Sequence, residues 1–180
     1  MVEDQLSHNN IKKNLYKRFM KKILILLFVL SLNNQVFAAG SDSSSDTSEI
    51  ALYDQAVKLV KRAGKLEKKE KGEKAKKLYS QAFKKLNTAY KSDKKNPDIL
   101  NYMGFTSRKI GNFKEAENYY LKGLDLDPKH NGINEYLGEL YVQTNRIDKA
   151  NERLAVLKNC NCEEYQELEL IIKTKGTKIY

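Results

Sequence analysis

The chain has 180 residues, of which 41% are hydrophobic and 31% are charged, and its formal net charge is +10. This length is sufficient for a single core with tails. Its two histidines stand far apart, no His/Asp/Glu group has metal-ligand spacing, and no glycine-rich phosphate loop is present. We therefore predict that the protein is not an enzyme and needs no cofactor or metal.

The positive charge is distributed unevenly along the chain. It amounts to +4 over residues 1–38 and +11 over residues 58–95, against −4 over residues 39–57 and −1 over residues 96–180. The basic character therefore belongs to the amino terminus and to one internal stretch, and the second half of the chain is almost neutral.

Residues 20–39 have the organisation of a secretory signal peptide. Lys21 and Lys22 precede a largely apolar run over residues 23–32, and small residues follow as far as Ala39. The run is shorter than the ~20 residues that a helix needs to cross a bilayer. We expect cleavage near Ala39 and no stable transmembrane span afterwards.

The short, lysine-led signal is typical of bacteria and predicts a periplasmic or secreted protein. The alternative is an uncleaved signal that anchors the chain in the inner membrane. Residues 1–39 are thus interpreted as an extension and a signal peptide, and we expect translation to start at Met20 rather than at Met1.

Residues 40–48 are small and polar and predict a flexible linker. From there to residue 96, apolar side chains recur at helical steps in two runs, with a turn expected at Gly72. Thr47 or Ser48 is expected to cap the first of these helices. The lysines of this hairpin lie mostly on its polar faces, which indicates a solvated surface.

Residues 97–130 predict two helices around a tight turn at Gly111. Pro128 then forces the chain to leave the second helix. The residues that share one face of each helix are Leu100, Met103, Gly104, Ser107, Phe113, Ala116, Tyr120 and Leu124.

This spacing resembles a tetratricopeptide (TPR) repeat, whose period is about 34 residues. One period further along, Gly138 stands where Gly104 does, and residues 131–162 repeat the pattern. The resemblance implies an all-α fold, a short α-solenoid of TPR hairpins. Residues 49–96 would form a degenerate basic TPR-like hairpin, and residues 163–180 a capping helix and tail.

By resemblance to TPR proteins, the first helices would line a concave groove that binds a protein or peptide partner. Phe105 would be the apolar anchor of this groove, and changing both Phe105 and Arg108 to alanine should abolish partner capture without unfolding. The groove positions would be Asp98, Asn101, Phe105, Arg108, Lys109, Glu135, Glu139, Val142 and Gln143. We therefore predict a protein-interaction scaffold that does not bind nucleic acid.

Two other functions stay open on the sequence. The lysine-rich hairpin could hold the protein at anionic lipid or another polyanion of the cell envelope. Cys160 and Cys162 could form a small disulfide at a turn, and their functional alternative is a redox pair or a copper site.

Overall fold

The computed structural model describes residues 44–177, which contain seven α-helices and no strand. The helices are α1 Ser44–Glu67, α2 Gly72–Ser92, α3 Pro97–Lys109, α4 Phe113–Leu126, α5 Asn131–Gln143, α6 Ile147–Leu157 and α7 Glu163–Lys173. The predicted all-α fold is confirmed for this part of the chain. The predicted signal peptide and the start of the linker lie outside the described residues.

The central hairpin pairs α3 with α4. The side chain of Asn96 caps α3 by accepting hydrogen bonds from the backbone amides of Asp98 (3.0 Å) and Ile99 (3.3 Å). Gly111 ends the helix with a φ of 96°, a left-handed conformation that glycine adopts without steric penalty. The residues predicted to share one face of each helix are buried apart from Phe113, whose side chain is 40% exposed. Phe113 is the first residue of α4, at the end of this face, where the hairpin does not cover it.

Gly104 sets the distance between these two helices. A Cβ atom at this position would overlap the ring of Tyr120, which is fully buried. The small residue is therefore required by the close approach of α3 and α4, and the aromatic ring fills the space that it leaves.

The next hairpin, α5 with α6, repeats this construction with different residues. The Nδ1 atom of His130 caps α5 by accepting a hydrogen bond from the Ile133 amide at 3.2 Å. Asn145 occupies the turn position of Gly111 and has a φ of 58°, as the repeat register predicts for a residue that tolerates left-handed geometry. Gly138 is again the point of close approach, here against Leu168 of α7.

The first hairpin differs from its sequence prediction at both ends of α1. The helix begins at Ser44, earlier than the cap expected at Thr47 or Ser48. Serine, aspartate and threonine each cost less than about 0.7 kcal/mol relative to alanine inside a helix, so a helix that is packed further on can extend back through them.

The turn after α1 is made by Glu70, with a φ of 58°, and Gly72 is already the first residue of α2. The amide of Lys71 donates to the Leu66 carbonyl at 2.9 Å, a helix-ending bond that places a left-handed residue just before it. The turn expected at Gly72 is therefore displaced by two residues.

Helix α7 covers the open end of the α5–α6 hairpin. Leu168 and Ile171 are its buried residues, with exposures of 0% and 2%. These two residues face α5, against which α7 packs more extensively than against α6.

The helices form an inner and an outer layer. Among the described residues, α1 lies close to α3, α3 to α5, and α5 to α7, whereas the outer helices α2 and α4 meet through side chains, with the Phe83 and Tyr119 rings 5.9 Å apart. The inner helices therefore approach one another more closely than the outer ones. Such a stack is curved, and its inner helices face the concave side.

Candidate functional site

A cavity of about 200 Å³ opens between the inner helices α1 and α3. Tyr79 of outer helix α2 and the Glu139 carboxylate of α5 complete its lining. Its lining residues are Val60, Gly64, Glu67, Lys68, Tyr79, Phe105, Arg108, Lys109 and Glu139. The site therefore combines residues of two predicted hairpins and of the repeat that follows them.

Aromatic rings form one wall of the cavity. Phe105 lies between Tyr79, at a centroid distance of 5.9 Å, and Tyr136, at 4.9 Å. Contacts of this kind contribute about 0.5–1.5 kcal/mol each beyond burial of area. Burial raises the pKa of both tyrosines above its ordinary value, so they are neutral in the physiological range. The half-buried ring of Phe105 is held in place from both sides.

A partly exposed ion pair lies at the mouth of the cavity. The Lys109 ammonium lies 2.7 Å from a Glu67 carboxylate oxygen, and the Tyr79 hydroxyl donates to the same oxygen at 2.9 Å. The Lys109 nitrogen also lies 5.7 Å from the Tyr79 ring centroid and 5.8 Å from that of Phe105. This arrangement fixes a long, flexible lysine side chain against the aromatic wall.

A second ion pair is buried behind Phe105. The guanidinium of Arg108 lies 2.6 Å from a Glu139 carboxylate oxygen, and the two side chains are only 3% and 2% exposed. Arg108 also donates to the Gln143 side chain at 3.3 Å. Burial alone would lower the pKa of Arg108, but the adjacent Glu139 carboxylate raises it above its ordinary value. The pair connects α3 to α5.

The structure brings together four of the residues predicted to line the groove: Phe105, Arg108, Lys109 and Glu139 all lie at the cavity. Gln143 is exposed and joins them through its bond with Arg108. Because Arg108 and Glu139 are buried against each other, alanine at Arg108 should destabilise the stack. The expectation that the Phe105/Arg108 double change leaves the fold intact therefore needs revision.

The other predicted groove residues lie away from the cavity. Asp98 is exposed and bonds His130 at 3.1 Å, Asn101 is buried beside Gly132, and Glu135 is 3% exposed. Val142 is 7% exposed. Their role in binding a partner stays a prediction.

The cavity also includes residues that the sequence pattern did not assign to a site. Val60, Gly64 and Glu67 come from α1, and Tyr79 comes from α2. Val60, Gly64 and Glu67 are spaced by four and three residues, which places them on one face of α1. This spacing is visible in the sequence, but it predicts a packed helix face equally well.

Neither a metal-binding group nor a membrane-spanning helix occurs in the part of the chain that the structure describes. Over residues 44–177, no group of three or more His, Cys, Asp or Glu side chains is arranged to hold a metal ion. Within the same range, no helix combines the length and the hydropathy of a bilayer-spanning segment.

The two cysteines lie at the turn between α6 and α7. A disulfide joins Cys160 to Cys162, with Cα atoms 5.2 Å apart, and Asn161 between them has a φ of 50°. Neither cysteine is among the cavity-lining residues. The redox and copper functions stay hypotheses that no contact in this region supports.

Comparison with known proteins supports the repeat architecture. The family model described as a tetratricopeptide repeat matches residues 97–130. No curated protein sequence matches the chain.

Two solved structures similar to this chain are a secretion chaperone and a TPR domain. The type III secretion translocator chaperone SycD of Yersinia enterocolitica is 19% identical, with a TM-score of 0.51, over 78% of this chain and 100% of SycD. The second TPR domain of human RPAP3, in complex with an HSP70 peptide, is 18% identical, with a TM-score of 0.42, over 68% of this chain and 98% of that domain. Residues 97–130 are thus similar to a tetratricopeptide repeat, and the described chain has the fold of an all-α helical-repeat solenoid.

Proposed function

We propose that the protein is a secreted or periplasmic scaffold that binds a segment of another protein in its concave cavity. The observation that carries this proposal is the cavity of about 200 Å³, which is open on the concave face and lined by ordered rings and ion pairs. Concave sites lined by apolar groups and a few fixed polar groups are suited to binding rather than to reaction when no catalytic group is present.

The cavity walls are already held in place without a partner. Phe105 contacts rings on two sides, and Lys109 is fixed by Glu67. A site whose side chains are ordered in advance loses less conformational entropy when it binds. This preorganisation supports a binding function for the same face that the TPR resemblance implies.

Partner capture can be tested with matched phenylalanine variants. Phe105→Ala removes the ring from the cavity wall, and Phe113→Ala removes the same atoms from the partly exposed start of α4. We expect capture of proteins from an envelope extract to fall more than tenfold for Phe105→Ala, as for a central binding residue, and to be retained for Phe113→Ala. Equal capture by the two variants would contradict the groove assignment.

The location outside the cytoplasm rests on the sequence of residues 20–39. Fractionation of cells and amino-terminal sequencing of the mature protein test it. We expect a periplasmic or secreted chain that begins near Gly40. A cytoplasmic chain that begins at Met1 would overturn this part of the proposal, and a membrane-bound chain that retains residues 20–39 would support the anchored alternative.

A second function is favoured by the exposed cations of the α1–α2 hairpin. Lys58, Lys61, Arg62 and Lys65 are exposed on α1 and have no ion pair within residues 44–177. An exposed basic face of this kind attracts anionic surfaces over a distance that salt shortens to about 10 Å at 0.1 M. Contact with an anionic lipid surface is therefore compatible with the scaffold function.

Lysine substitutions of matched number test this second function. We expect the wild-type chain to sediment with vesicles that contain phosphatidylglycerol at low salt, and not at high salt or with phosphatidylcholine alone. Binding should be lost for the hairpin variant and kept for the repeat variant. The two variants are Lys61→Glu/Lys65→Glu/Lys69→Glu and Lys114→Glu/Lys122→Glu/Lys129→Glu. Binding that is unaffected by salt, or lost equally in both variants, would exclude this mechanism.

A further inference from the structure

Gly64 lies in the last turn of α1, three residues before the helix ends at Glu67, where glycine costs up to about 1 kcal/mol relative to alanine. No turn or strained conformation requires it, since α1 continues through this position to Glu67. Close packing does not require it either. The nearest atom to a Cβ placed at Gly64 is the Tyr79 hydroxyl oxygen, at 4.0 Å.

The other helical glycines on the packed faces are different. A Cβ at Gly104, Gly123 or Gly138 would overlap a neighbouring buried side chain. These three glycines are explained by helix–helix contact. Gly64 is not, and the space beside it is the cavity that it lines.

The missing side chain keeps this cavity open. Val60 and Glu67 flank Gly64 on the same face of α1, and Tyr79 and Phe105 face it from α2 and α3. A cavity of ~150 Å³ is sufficient to hold a benzene-sized group. The volume of about 200 Å³ found here therefore accepts one large apolar side chain, of the size of leucine, methionine or phenylalanine.

When the ion pairs at the cavity are set aside, the remaining charge there is positive. Both carboxylates are engaged, Glu67 with Lys109 and Tyr79, and Glu139 with Arg108. Lys68 lines the cavity, is exposed, and has no ion pair within residues 44–177. An incoming carboxylate would therefore meet an ammonium group at the rim without displacing an existing pair.

We infer that the cavity beside Gly64 receives a single large apolar side chain from a partner segment that carries acidic residues next to it. This inference rests on the proposed scaffold function and specifies the chemistry of its ligand. The apolar side chain fills the space that Gly64 leaves, and the acidic neighbours contact Lys68. Segments with a basic residue beside the anchor are disfavoured by repulsion at the same rim.

A displayed library of random peptides, selected on the wild-type chain, provides the probe. We expect the selected peptides to share a leucine, methionine or phenylalanine beside aspartate or glutamate. Their affinities are then measured by fluorescence anisotropy for wild type and for a graded series, Gly64→Ala, Gly64→Val and Gly64→Leu. Affinity should fall in that order and by more than tenfold at Gly64→Leu, because each larger side chain occupies more of the cavity.

The variants report on folding and binding separately. Gly64→Ala should raise the melting temperature, since alanine favours the helix and meets no close neighbour. If Gly64→Leu loses its helical circular dichroism, Gly64→Val supplies the same comparison on a folded chain. Lys68→Glu should weaken the binding of the acidic peptides. Changing the anchor residue of the peptide to alanine should abolish binding.

The outcomes distinguish this inference from the function on which it rests. If no peptide is enriched, the proposed binding function fails together with the inference. If enriched peptides bind wild type and every folded Gly64 variant equally, the function stands and the cavity is not the anchor site. If the enriched peptides are neutral or basic around the anchor, the acidic character of the ligand is wrong.

Discussion

The buried pair of Arg108 and Glu139 should be the most sensitive point of the concave face. Arg108→Met removes the guanidinium and leaves the Glu139 carboxylate, 2% exposed, without the cation that lies 2.6 Å away. Breaking a buried ion pair by removal of one partner costs about 3–5 kcal/mol. Because total stability is about 5–15 kcal/mol, this change alone should remove a large part of it.

The double variant Arg108→Met/Glu139→Leu separates the cost of removing Arg108 alone from the contribution of the pair. It replaces both charged groups by apolar groups of similar length, and such replacements are often neutral or stabilising. We expect urea unfolding, followed by circular dichroism, to show a large loss for Arg108→Met and near-wild-type stability for the double variant. A loss below about 1 kcal/mol in the single variant would show that the pair is not desolvated as its exposure indicates.

Three further predictions concern packing, titration and the disulfide. Gly104→Ala should destabilise the chain by about 1–3 kcal/mol in the same urea assay, because the new methyl group overlaps Tyr120. Gly72→Ala is the control, since a Cβ there meets no atom within 4 Å, and it should not destabilise the chain. Equal effects of the two changes would refute the close approach of α3 and α4. Burial raises the pKa of Tyr79, Tyr120 and Tyr136 in the folded chain, so stability should be complete below the ordinary tyrosine pKa of about 10 and decline above it. Spectrophotometric titration should show these phenols ionising at a higher pH than ordinary tyrosines. Ionisation near the ordinary tyrosine pKa in the folded chain would contradict their burial. Thiol counting on the denatured, unreduced protein should find no free thiol, and two free thiols would show that the bridge does not form.

The fold was predictable because its signals are local and repeated. Gly111 and Asn145 end equivalent helices in left-handed geometry, and each can be identified from its residue type and its place in the period. Gly104 and Gly138 likewise mark points of close helix approach. Two copies in register therefore determine the architecture more firmly than either alone.

The site was less predictable because it depends on contacts between repeats. The sequence identified Phe105 and Lys109 on the inner face, but nothing local shows that Lys109 pairs with Glu67 across two helix connections. Similarly, the spacing of Arg108 and Glu139 places both on inner helices without showing that they bury each other. Long-range pairing of this kind needs the relative positions of the helices.

Helix ends in the first hairpin were also predicted less well. The expected cap at Thr47 or Ser48 followed residue preference, yet α1 begins at Ser44. The turn was assigned to Gly72, but backbone hydrogen bonding places it at Glu70. In both places the weak preference of single residues did not decide where the helix begins or ends.

Site-specific photocrosslinking in cells tests the binding function of the concave face most directly. A photoreactive residue replaces Gln143, which is exposed on inner helix α5 beside Arg108, or Lys122, which is exposed on outer helix α4. We predict a discrete crosslinked partner from Gln143 that is absent from Lys122 and is lost when Phe105→Ala is added. Crosslinking from Lys122 alone, or from Gln143 irrespective of Phe105, would contradict a partner site on the concave face.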